Sequence, residues 1–127
     1  MIAAAIALLL KVIIAFNTFG TNDVVSFYQF ALSLHLHGLE QTYGNDIAFN
    51  HPSLVAHFLE LIYKLAQLPS FERNGITFPF LLRLPGIVAD FVVVCALLAL
   101  KKREPRLCIP TWTLCLLAVS PVSLMYQ

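Results

Sequence analysis

Charged side chains are scarce in this chain, and those that interrupt or border apolar sequence are the ones whose chemistry matters. Asp23 is the first. It stands in Gly20-Thr21-Asn22-Asp23-Val24, directly after the apolar run 2–19. A carboxylate at such a boundary has two readings. In the first turn of a helix it is favoured by the helix dipole, by about 0.3–1 kcal/mol. At a membrane surface it is placed to take a proton from an acceptor hydroxyl as a general base.

Arg83 and Asp90 interrupt a second apolar run. They are seven residues apart, close to two helical turns, and so share a face. Asp90 falls near the middle of that run. An ionisable group at such depth costs at least about 2.5–3.5 kcal/mol, so it calls for a cavity or for a partner, with a structural pairing to another helix the expected one. Arg83 falls near the outer end, where a guanidinium either snorkels to lipid head groups or holds a phosphate and stabilises it as a leaving group. His35 and His37 point about 160° apart on a helix and do not jointly face a metal. No metal site is expected from them. His51, before Pro52, reads as a capping or turn residue, and His57 as part of a solvated face. Cys95, Cys108 and Cys115 lie in or beside apolar segments without a CxxC pair; they read as small hydrophobes.

The elements that position these groups follow from composition. Hydrophobic residues make up 59% of the 127, charged residues only 12%, and the mean hydropathy is +0.80. A soluble domain carries about twice that share of charge, so the chain reads as an all-α membrane protein. A net charge of +1 excludes a strongly basic nucleic-acid-binding surface.

Three runs approach the roughly 20 apolar residues of a membrane span: 2–19, interrupted by Lys11; 80–100; and 107–125, which contains Pro110 and Pro121. The first lacks a basic leader and carries Lys11 internally, so it reads as an uncleaved anchor rather than a signal peptide. The linker 101–106 holds four basic residues and one acid, which assigns it to the cytoplasm. The N-terminus is then cytoplasmic as well. The loop 20–79 faces the periplasm, cell exterior or organelle lumen. Its five acids and two bases, a net −3, agree with that side.

The loop is itself patterned. A helix is expected from Asn22 to His37, with Thr21 or Asn22 as N-cap and Ser26, Gln29, Ser33 and His37 on one face. A second begins after Asn50-His51, with Pro52 suited to the first helical position. His57, Glu60, Lys64 and Gln67 form its polar face, with Glu60 and Lys64 in the favourable i,i+4 order. Both are expected to lie as amphipathic helices on the outer membrane surface. Gly38, Gly44, Asn45 and Asp46 supply the turn between them. Three spans form a small bundle, which suggests one module of a larger multispanning protein.

The order of these elements resembles the N-terminal part of integral-membrane glycosyltransferases of the GT-C fold. The likeness rests on the acidic residue opening the first outward loop, on Tyr43-Gly44 and Phe49-Asn50-His51-Pro52-Ser53-Leu54, on Arg83-Leu84-Pro85-Gly86-Ile87-Val88-Ala89-Asp90, and on Ser120-Pro121-Val122-Ser123-Leu124. The Asn-His-Pro-Ser-Leu run is similar to the Asn-His-Pro-Pro-Leu run of those enzymes, with Ser53 in place of the second proline. The resemblance implies inverting transfer of a sugar from a polyprenyl-phosphate-linked donor to an acceptor on the outer face. It implies Asp23 as catalytic base; Arg83, Asn50 and His51 are the residues expected at the substrates, and Asp90 and Pro52 are expected to be structural. The partners implied are the lipid-linked donor, the bilayer and the remaining helices of the bundle. No cofactor is identified, and the need for a divalent metal stays open. Two other classes compete: a non-enzymatic small membrane subunit, whose surface helices dock a partner, and a transporter segment using Arg83 and Asp90, which no repeat or broken-helix pair supports.

Overall fold

The computed structural model describes residues 2–45 and 48–103, together with Pro110 and Thr113. Five helices occur among the described residues: α1 (Ile2–Asn17), α2 (Asn22–Asn45), α3 (Ser53–Ala66), α4 (Pro69–Arg73) and α5 (Phe78–Arg103). No strand occurs among the described residues. The protein is all-α.

Helix α5 has 26 residues, and its most apolar 18-residue stretch has a mean hydropathy of 2.2. At 1.5 Å per residue it is about 39 Å long, enough to cross a hydrocarbon layer of about 30 Å. It ends on Lys101, Lys102 and Arg103, three cations that suit the negative end of the helix dipole. Helix α1 has 16 residues, about 24 Å, and ends sooner than its apolar sequence does. Asn17 Nδ2 donates to the Ile13 carbonyl at 2.8 Å and Thr18 Oγ1 to the Ile14 carbonyl at 2.8 Å. Gly20 then takes a φ of 98°. Of the three expected spans, one therefore passes on length and apolarity among the described residues. The span 107–125 lies outside them apart from Pro110 and Thr113, as do residues 104–106 of the basic linker.

The chain divides into two compact units. One is formed by Phe19–Leu82. Its core contains Ala31 and Leu34 of α2, Phe49, Ala56, Leu59, Ile62 and Tyr63 of α3, and Phe78 and Leu81 at the start of α5. Residues 56, 59 and 63 recur at helical spacing, so α3 presents one continuous buried face. Its opposite face carries His57, Lys64 and Gln67, all exposed. Lys64 Nζ lies 2.6 Å from Glu60 Oε1, and that hydrogen bond holds the Glu60 carboxyl below the usual carboxylate range. On α2 the expected polar face is likewise turned outward at Ser26, Gln29 and His37. The buried faces of α2 and α3 meet each other in this core, so much of their apolar surface is covered by protein.

The break after His37 is real, but the chain does not leave the helix for long. Gly38 has φ 79° and ψ 175°, and helix resumes to Asn45. A side chain at that φ is strained, which is why glycine stands there. Thr42, 1% exposed, bridges the break: its Oγ1 lies 2.9 Å from the Gly38 carbonyl, to which it donates, and 3.2 Å from Ser33 Oγ. Pro52 is the N-cap of α3 rather than its first helical residue. Its carbonyl accepts from Val55 and Ala56 N–H at 2.9 and 3.3 Å, so the helix begins at Ser53, one residue later than expected. Helix α4 was not expected; Pro69 at its first position fixes φ where no N–H is needed.

Leu59 is 1% exposed at the centre of the α2–α3 core. Leu59→Ala is expected to destabilise the unit by about 2–5 kcal/mol, measured as a lowered midpoint of helix loss on chemical denaturation in detergent. Leu61→Ala, on the exposed side of α3, is expected to change it by less than about 0.5 kcal/mol.

Candidate functional site

Two groups of polar side chains emerge, one in each unit. In the unit formed by α1 and the part of α5 from Arg83 onward, the pairs run in constant antiparallel register. Ala7 packs in one apolar cluster with Val94. One helical turn along α1, Lys11 Nζ lies 2.7 Å from Asp90 Oδ2. Two turns further, Thr18 meets Arg83: Nη1 donates to Thr18 Oγ1 at 2.9 Å and Nη2 to the Thr18 carbonyl at 2.8 Å. The seven-residue spacing of Arg83 and Asp90 on α5 is thus answered by an equal spacing of Lys11 on α1 and Thr18, the residue that follows that helix.

Burial sharpens what each pair does. The Lys11 side chain is 4% exposed and that of Asp90 is 40% exposed. An ammonium sealed to that degree needs an anion, and Asp90 supplies it. The expectation that Asp90 is structural and pairs with another helix therefore has a named partner. Lys11 read in the sequence only as an interruption of an apolar run; a cation and an anion at similar depth in two such runs was the available signal. Arg83 is also buried, at 6%. Both terminal nitrogens are engaged by Thr18, and its Nε is enclosed without a hydrogen-bond partner among the described residues. In this arrangement the guanidinium ties the end of α1 to α5 rather than presenting itself to a phosphate.

In the other unit, Asp23 is the second residue of α2. It is exposed, and no hydrogen bond or ion pair engages its carboxylate among the described residues. Both oxygens are open to an incoming donor. Asn50 is exposed as well, its N–H donating to the Ala48 carbonyl at 3.2 Å. His51 is half-buried in an aromatic setting: its ring centroid lies 5.5 Å from those of Phe27 and Phe49 and 6.1 Å from that of Phe30. Its carbonyl accepts a hydrogen bond from the Tyr43 hydroxyl. The histidine fastens the segment before α3 to α2, an enclosure no local pattern announced, because its rings come from residues 27, 30 and 49. No hydrogen bond joins Asp23 to Asn50 or His51 among the described residues.

A second aromatic group surrounds Tyr63, whose ring lies 5.8 Å from that of Tyr28 and 5.2 Å from that of His35. Burial, reinforced by Tyr28, pushes the Tyr63 phenol above its ordinary value of 10. No group of three or more metal-ligating side chains occurs among the described residues. No protein-family model, curated protein or solved structure matches the chain.

Two outcomes follow. Asp90→Leu removes the carboxylate that the enclosed Lys11 ammonium meets at 2.7 Å and is expected to destabilise the unit more than Lys11→Met, which leaves the more open of the two groups. The double variant is expected to lie closer to the parent than the sum of the two, as read by unfolding in mixed micelles; simple additivity would mean that the pair is uncoupled. In an alkaline titration followed by phenolate absorbance, Tyr63→Phe is expected to delete a component ionising above pH 10. Because the folded value is raised, Tyr63 stabilises the fold fully below pH 10, and that contribution is lost as the pH rises through the folded value.

Proposed function

We propose that this chain belongs to a membrane glycosyltransferase of the GT-C kind, and that Asp23 is its general base. The observation that carries the proposal is the state of Asp23: an exposed carboxylate in the first turn of α2, a few residues beyond the end of an apolar helix, with no partner among the described residues. A general base must keep a lone pair available to the proton it removes. Asp23 does so, while Asp90 is bound to Lys11.

In the proposed reaction an acceptor hydroxyl gives its proton to Asp23 as its oxygen attacks the anomeric carbon of the donor sugar. The bond to the polyprenyl phosphate breaks on the opposite face, and the configuration inverts. This part of the enzyme crosses the membrane through α5 and two further spans, 2–19 and 107–125. The N-terminus lies in the cytoplasm and 20–79 on the outer side. The cationic end of α5 supports this orientation. Arg83 carries no weight in the proposal, because its terminal nitrogens are held by Thr18.

One observation favours the second reading, a non-enzymatic membrane subunit: both buried charged groups of the α1–α5 unit serve as interhelical ties. The two readings separate in one assay. Membranes carrying the complete multispanning protein are offered radiolabelled polyprenyl-phosphate sugars and their endogenous acceptors. Asp23→Asn is expected to lower transfer by about 10²-fold or more with insertion and helix content unchanged. Transfer by this variant at the parental rate would remove Asp23 from the mechanism.

A further inference from the structure

The unit Phe19–Leu82 contains a cleft of about 340 Å³ that none of the groups above explains. Its volume falls at the lower end of small-molecule sites. Three chain segments build it: the end of α3 with Ala66 and Gln67, the α4 region with Glu72 and Gly75, and the start of α5 with Thr77, Phe78 and Pro79; Tyr28 and Phe19 close the sides. Aromatic rings form much of the wall. Tyr28 and Phe78 meet edge to face with centroids 5.3 Å apart.

We propose that this cleft binds an organic ammonium group carried on an apolar body. Its electrostatics select the sign. Glu72 is the one formally charged residue among those lining it. No hydrogen bond or ion pair engages its carboxylate among the described residues. Aromatic faces attract a cation through their quadrupole. The end of α3 adds partial negative charge from its terminal carbonyls. The start of α5 brings the opposite polarity, but Pro79 has no N–H to offer an anion, so the opposing contribution is blunted. Gln67 and Thr77 supply neutral polar groups that orient the ammonium's remaining hydrogens. An anion would face an unpaired carboxylate, and a neutral apolar ligand would gain nothing from it. The site stands apart from the transferase reading and does not depend on Asp23.

The ammonium has two possible sources, a soluble amine or a phosphatidylethanolamine headgroup. The test titrates phenethylammonium into the purified chain in phosphatidylglycerol nanodiscs and follows binding by calorimetry. Saturable binding is expected, with the neutral analogue 2-phenylethanol roughly tenfold weaker or worse. Glu72→Gln, at an exposed position, is expected to weaken the ammonium roughly tenfold without changing helix content. Tyr28→Leu, which removes an aromatic wall, is expected to weaken it as well. Repeating the titration in phosphatidylethanolamine nanodiscs assigns the source: competition identifies the lipid headgroup, and unchanged binding identifies a soluble amine. Absence of binding, equal affinity for 2-phenylethanol, or an undiminished affinity in Glu72→Gln would overturn the proposal.

Discussion

Lys11 sets the terms for the α1–α5 unit. Its ammonium is enclosed among apolar side chains, a position tolerable only with an anion in contact. Asp90 can meet it only if α1 and α5 run antiparallel in one register. That register brings Thr18 opposite Arg83 and Ala7 beside Val94. A helix pair of purely apolar sequence slides with little penalty, since one leucine contact resembles the next. A misregister by even one turn would separate both polar ties at once. The charges therefore define alignment, a better-supported role for buried ionic groups than added stability.

The unit Phe19–Leu82 is organised by a different means. Its selection is steric: small residues, Ala31 and Ala56, are wholly buried in the α2–α3 core, and Phe49 and Tyr63 fill the space around them. Gly38 allows α2 to bend without ending, and Thr42 satisfies a carbonyl at the bend. The aromatic setting of His51 then fixes where the chain re-enters helix at α3. Its contacts range from the four-residue Thr42–Gly38 bond to the pairing of Tyr28 with Phe78, so it joins local bends to a core that spans the whole segment.

What was legible in the sequence follows this division. The start of α2 at Asn22, the break after His37, the polar face of α3 and its Glu60–Lys64 pair all depend on neighbours within a few residues, and the local pattern disclosed them. So did the apolar length of α5. Less legible were features that depend on distant partners. Asp90 needed a cation, yet its identity rested on a residue 79 positions away. Arg83 had the composition of a phosphate ligand and proved to be a tie, because Thr18 lies opposite it. The apolar faces of α2 and α3 suggested lipid, because a hydrophobic face does not say whether lipid or another helix will cover it. The cleft beside Glu72 combines three separate segments and has no signature in any of them.

The distance between Lys11 and Asp90 along the chain also has a consequence in time. A ribosome adds about 5–20 residues per second, so the 79 residues that separate them take roughly 4–16 s to synthesise. Throughout that interval the lysine exists without its carboxylate, while α2 and α3, complete long before Asp90 is made, are free to fold. The nascent α1 must therefore keep its ammonium hydrated, or borrowed by another anion, until the later helix arrives. The order of biogenesis is written into the pair: the core of Phe19–Leu82 is complete in sequence at Leu81, and the alignment of α1 with α5 through Asp90 follows it.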